Sequence, residues 1–194
     1  MNSTPSIINY FQNFGALSEN DRKEIQALER VVNIEKGDFF IKAGQIKDEI
    51  GFVTKGCMRY FYLKEGEEIT GEFWQENEIL AAYECCILEQ PSTLYIDAIE
   101  PTSLIVLPYK KLKQLSEKID GLDRIVIQLL EKFIVESQQR IASYIIETPE
   151  ERYLRLRQEM PGIEERVHQK YIASFVGVTP VTLSRIRARL ARRK

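Results

Sequence analysis

The stretch Val167–Lys194, VHQKYIASFVGVTPVTLSRIRARLARRK, decides how the rest of this chain is read. Ala173, Gly177, Leu183 and Ile186 stand in an A-x3-G-x5-L-x2-I spacing, which suits two short helices crossing steeply. A small alanine lets the helices approach, glycine supplies a positive φ in the turn, and the two aliphatics seat the second helix. Thr179-Pro180 predicts where that helix starts: a hydroxyl N-cap, then proline at the first helical position, where no N–H is needed. Arg185, Arg187, Arg189, Arg192, Arg193 and Lys194 follow, and the last ten residues contain no acid. A helix backed by such a cationic end suits entry into the major groove of DNA.

The formal net charge of −2 conceals a segregation. Residues 150–194 carry 11 basic and 5 acidic side chains, a balance of +6. The remainder carries 16 basic and 24 acidic ones, a balance of −8. Polyanion binding is therefore expected only at the C-terminal end.

Composition narrows the class. A hydrophobic content of 44% and a charged content of 29% over 194 residues are those of a globular protein with room for one large or two small domains. No apolar run approaches the ~20 residues that span a bilayer, so no membrane association is expected. The start, MNSTPSIINYFQNF, lacks a basic segment followed by an apolar one, so no signal peptide is expected and the cytoplasm is the expected location. Cys57, Cys85 and Cys86 are an odd number of thiols, two of them adjacent, which fits reduced cysteines better than a disulfide framework. One histidine, His168, and no C-x2-C pair leave no zinc site and no Ser-His or Cys-His catalysis elsewhere in the chain. No cofactor is expected.

Upstream, the first 30 residues or so look helical, with a capping-box pattern at Ser18-Glu19-Asn20-Asp21. From Val31 to Leu107, short β-branched and aromatic segments alternate with turn signals. The segments are Phe39–Ile41, Ile50–Val53, Met58–Leu63, Ile69–Trp74, Leu94–Ile99 and Leu104–Leu107. Turns about every ten residues predict a sandwich or jelly roll. A long helix is expected over Tyr109–Glu147, with a break near Asp120-Gly121. On it, Ile119, Leu122, Val126, Leu129 and Phe133 recur at three- and four-residue steps, the seam of a coiled coil, while Ile127, Leu130, Ile134, Ile141 and Ile145 form a second stripe. Thr148-Pro149 restarts a helix and marks a hinge, and Met160-Pro161-Gly162 stops it.

Helix, β-roll, long helix and helix-turn-helix follow in an order that resembles the cyclic-AMP receptor and fumarate-nitrate regulator family of bacterial transcription factors. The resemblance covers nearly the whole chain. It is most specific from Ile172-Ala173 through Gly177-Val178 to Leu183-Ser184-Arg185-Ile186, with Lys36-Gly37-Asp38, Gly44, Phe52-Val53 and Gly56 resembling the family's β-roll turns. It implies an α+β fold: a β-roll sensor over 1–117, a dimerisation helix over 118–147 with Leu122, Val126, Leu129 and Phe133 in its seam, and a winged-helix-like helix-turn-helix domain over 148–194. It further implies a homodimer on double-stranded DNA, with RNA polymerase as protein partner.

Carried over residue by residue, Arg185 matches the family's base-contacting arginine, and Thr179 and Thr182 match phosphate-facing hydroxyls. His168, Gln169, Pro180, Val181, Ser184 and Arg189 complete the expected DNA-binding set; Arg187 is expected to face solvent or phosphate. Pro180 and Val181 replace charged base readers, so the family's familiar operator is not expected. The effector pocket departs further. Ala81-Ala82 and Ser92-Thr93 stand where cyclic-nucleotide binders carry a Gly-Glu and an Arg-Ser pair, and no Lys or Arg lies between Ala81 and Ile99. A buried phosphate without a cation would pay a desolvation penalty of at least several kcal/mol. No response to cyclic AMP is expected, and the effector, if any, is unknown. Tyr83, Glu84, Cys85 and Tyr95 would line or adjoin this altered pocket, with Cys85-Cys86 more fitting as packing residues than as a redox sensor.

A cupin-type enzyme fails for want of β-region histidines. The alternative is a protein-interaction module whose basic helical end does not read DNA.

Overall fold

The computed structural model describes residues 5–192. Helices α1 (Ile7–Gln12) and α2 (Glu19–Gln26) precede strands β1 (Arg30–Ile34), β2 (Phe39–Ile41), β3 (Glu49–Lys55), β4 (Met58–Lys64), β5 (Glu67–Trp74) and β6 (Ile79–Leu80). A short helix, α3 (Tyr83–Leu88), leads to β7 (Tyr95–Ala98) and β8 (Thr102–Pro108). Helices α4 (Tyr109–Ser116), α5 (Leu122–Ile146), α6 (Pro149–Glu159), α7 (Ile163–Arg166), α8 (Gln169–Val176) and α9 (Pro180–Ala191) complete the chain.

The strands form two four-stranded sheets, ordered β1-β8-β3-β6 and β2-β7-β4-β5. Strands β3 and β8 pair antiparallel with Gly51 opposite Val106 and Phe52 opposite Ile105. Their apolar runs, IGFV and LIVL, are continuous rather than alternating because this sheet is covered on both faces. Val53, Leu104 and Val106 face a core shared with Phe40, Met58 and Ile96. Ile50, Phe52 and Leu107 instead meet Ile7, Phe11, Ile25, Leu112 and Ile125 from the helices.

The expected strands are present, and two more join them. β1 carries exposed and polar positions that hide it from a hydrophobic pattern, and β6 is only two residues long. Ser18 and Asp21 close the anticipated capping box on α2. The expected long helix is interrupted: α4 ends at Ser116, and α5 starts at Leu122 directly after Gly121, whose φ is 86°.

Two compact units emerge. One comprises the chain up to Tyr60 together with Phe73–Phe133; the other comprises Phe61–Glu72 together with the chain from Ile134 onward. The division thus falls inside α5 rather than at residue 147, and the β4–β5 hairpin tip joins the C-terminal unit. Among the described residues no helix is long and apolar enough to cross a membrane.

Candidate nucleic-acid interface and the altered β-roll pocket

In the C-terminal unit, α8 and α9 are built as their sequence requires. His168 caps α8, its Nδ1 accepting from the Lys170 N–H at 3.2 Å. Gly177 ends α8 with φ 76° and ψ 38°, and the Val178 N–H donates back to the Ala173 carbonyl, a closure that favours glycine in the left-handed region. Thr179 caps α9 by accepting the Thr182 N–H at 3.2 Å, with Pro180 at the first position. Ala173 and Leu183 are fully buried, with Ile172, Phe175, Val176 and Ile186 beside them. No strand occurs among the described residues of 148–192, and α7 occupies the connection between α6 and α8.

The outward side of this pair is an open hollow of about 620 Å³ lined by His168, Gln169, Lys170, Pro180, Val181, Ser184 and Arg185. Six of the nine expected DNA-binding residues thus share one surface. Thr179 and Thr182 are exposed beside it, their hydroxyls 3.1 Å apart.

The arginines of α9 divide into two groups. Arg187 pairs with Glu164 at 3.2 Å, and Arg157 reaches the other oxygen of that carboxylate at 3.0 Å. The Tyr153 hydroxyl also donates to Glu164, and burial together with that bond pushes its phenol up to about 12. Arg189 pairs with Glu150 on α6. Arg187 is therefore exposed but tied to α7, and Arg189, expected as a nucleic-acid contact, is exposed but engaged by a carboxylate of its own unit. Arg185 is exposed and, among the described residues, has no intramolecular ion pair or hydrogen bond. Arg193 and Lys194 lie outside the described residues.

The sequence reading missed Arg152, which is buried without a carboxylate. Its guanidinium donates to the carbonyls of Val176 at 2.9 Å, Glu147 at 2.6 Å and Ser143 at 3.3 Å. These carbonyls lie at the C-terminal ends of α8 and α5, where the backbone dipoles favour a cation; that of Ser143 also accepts the Glu147 N–H at 3.1 Å. Ser174 of α8 makes a second backbone capture: its hydroxyl accepts the Thr70 N–H at 2.9 Å and donates to the Glu68 carbonyl at 3.0 Å, seizing the β5 edge.

In the other unit, the pocket residues are gathered but closed upon themselves. Ala81, Ala82, Cys85 and Ser92 are buried. Glu84 accepts both the N–H and the hydroxyl of Thr93, at 2.6 and 2.8 Å. The Ser92 hydroxyl donates to the Leu94 carbonyl at 2.9 Å. Tyr83 stacks obliquely on Phe133, ring centres 5.1 Å apart, and its burial pushes its phenol up to about 12. Tyr95 lies edge-on to Phe39, with ring centres 6.0 Å apart. Cys86 is buried beside Asp48, and burial pushes its thiol up to about 11, opposite to the shift a thiolate sensor needs. Arg59, wholly buried, clamps Asp97 by donating from Nε and one Nη at 3.0 and 2.7 Å. That cation already has its anion.

On α5 the expected seam divides, with Phe133 exposed at 44%. Leu122 of the expected seam is fully buried in the core of its own unit with Ile119 and Ile125, and Leu129 packs on the same cluster. Leu122 is thus a core residue, while Ile127, Ile134, Ile141 and Ile145 stand exposed.

Comparison with known proteins agrees with this architecture. Residues 31–118 match the cyclic nucleotide-binding domain family. The chain is 23% identical over 181 residues to the transcriptional activator Anr of Pseudomonas aeruginosa, covering 84% of this chain and 73% of that one. It is 25% identical over 136 residues to Anr of Pseudomonas protegens, covering 67% of this chain and 54% of that one. The structure of FixK2 from Bradyrhizobium japonicum shares the fold at 17% identity, with a TM-score of 0.72 and 85% of each chain covered. The chain is thus similar in its β-roll and in its order of elements to regulators of the cyclic-AMP receptor and fumarate-nitrate regulator (Crp/Fnr) type.

Proposed function

We propose that the protein is a homodimeric, sequence-reading DNA-binding regulator whose β-roll does not take a cyclic nucleotide. The observation that carries the reading is the asymmetry among the α9 arginines: Arg187 and Arg189 are held by Glu164 and Glu150, while Arg185 faces outward over the hollow with no carboxylate to satisfy it. A guanidinium so placed can pair bidentately with a guanine edge. His168, Gln169, Thr179, Thr182 and Ser184 surround it with groups able to reach phosphates or bases.

Dimerisation is supported by the exposed isoleucines of α5. Ile127, Ile134 and Ile141 recur at seven-residue intervals, and β-branched residues at such positions favour a parallel two-stranded coiled coil. The cyclic nucleotide is disfavoured because Glu84 is engaged by Thr93, Arg59 by Asp97, and no cation stands among the pocket residues. RNA polymerase is the protein partner proposed for the DNA-bound dimer.

Fluorescence anisotropy tests the reading. Binding to duplex DNA should weaken steeply as salt rises, because neutralised phosphates release counterions. Arg185→Ala should cost roughly 1–3 kcal/mol of discrimination between operator and random duplex. Binding that ignores salt, or no binding, would point instead to the protein-interaction module. An equal loss on all sequences would make Arg185 a phosphate contact. In thermal-shift titrations, cyclic AMP and cyclic GMP should leave the melting temperature unchanged; a dose-dependent rise would contradict the pocket assignment.

A further inference from the structure

We infer that Val181 recognises the C5 methyl group of a thymine beside the guanine taken by Arg185, so that the half-site is read by one methyl contact and one guanidinium. The assignment rests on α9 being a DNA-recognition helix.

Val181 is an aliphatic side chain left 61% exposed on a helix whose Leu183 and Ile186 are buried and whose Leu190 is half-buried. It sits one turn before Arg185, and both line the same hollow. The composition of α9, PVTLSRIRARLA, restricts what can be read. Cytosine is read through a carboxylate and adenine through Asn or Gln, and α9 has none of these. Gln169 lies across the hollow on α8, where its amide donates toward the Pro180 carbonyl at 3.5 Å. The Thr182 and Ser184 hydroxyls are indiscriminate. What remains is a free guanidinium for guanine and an apolar contact for the thymine methyl, a major-groove feature that cytosine lacks. Pro180 beside Val181 leaves that end of the hollow apolar.

Spacing makes the assignment specific. Four residues of helix advance about 6 Å, against about 3.4 Å per base step. The thymine should therefore lie one or two steps from the guanine that depends on Arg185.

The test uses the full-length protein. High-affinity duplexes are selected from a random pool, the Arg185-dependent guanine is located by base substitution, and each nearby thymine is replaced singly by deoxyuridine, which removes only the methyl. One replacement within two steps of that guanine should weaken binding roughly threefold to fivefold, the range expected for one buried methyl. Val181→Ser should bind the thymine and deoxyuridine duplexes equally; circular dichroism checks that this exposed substitution leaves the helices intact. Sequence-selective binding with no methyl effect near the guanine would overturn the inference alone, as would a methyl preference that survives Val181→Ser. Failure to select any duplex would overturn the DNA-binding reading with it.

Discussion

A guanidinium withdrawn from water needs negative charge nearby, and Arg152 finds it in backbone carbonyls rather than in an acid. Because it bonds the ends of α5 and α8 at once, Arg152→Met should take this donor from the Val176 and Glu147 carbonyls, costing about 1–3 kcal/mol of stability in denaturant unfolding. Arg185→Ala, exposed and without partners, should leave the same midpoint unmoved. Cys86 gives a pH signature. Its folded value lies above the ordinary one near 9, at about 11, so its contribution to stability is complete below pH 9 and is lost as pH rises toward 11. Melting temperatures measured across that interval should fall, and Cys86→Ala should flatten the fall; an unchanged slope would refute the assignment. At this scale the sequence was least informative about pairing. Arg189 and Arg187 read as free cations because Glu150 and Glu164 lie far from them in the chain, and Arg152 carried no local signal at all. Pro180, Val181 and Arg185, by contrast, were legible because position along a capped helix alone sets which way they face.

Elements follow from periodicity, and α5 shows where periodicity stops. Two apolar stripes were readable, but their destinations were not, because a three-and-four pattern looks the same whether it meets its own core or another chain. Leu122 turned out to be bound inward, with Leu129 packed on the same core, while the isoleucine stripe stayed open. If that stripe is the dimer seam, Ile134→Glu with Ile141→Glu should convert the protein to monomer in sedimentation velocity while its β-sheet signal persists. A dimer that survives both charges would place the interface elsewhere. The helix termini were the most legible elements: Ser18, Thr148 and Thr179 each accept the backbone N–H three residues on. The β1 edge was obscured by its polar, exposed residues, and α7 by its four-residue length.

At the scale of the molecule, the segregation of charge matches the division of labour proposed here. The basic end carries the helix pair, and the acidic remainder carries a β-roll whose pocket satisfies its own polar groups. The order of elements, rather than any one of them, made the resemblance legible: jelly-roll strands alone, or a helix-turn-helix alone, occur in many proteins. What the order could not supply was the closure of the pocket, since Glu84–Thr93 and Arg59–Asp97 join residues 9 and 38 positions apart. The most direct test of the whole account is the footprint recovered when full-length protein selects from random duplexes. Two inverted half-sites, each carrying the Arg185-dependent guanine and centred about one helical turn (~34 Å) apart, are predicted for paired α9 helices. A single half-site, half-sites in direct repeat, or no enriched sequence would contradict it.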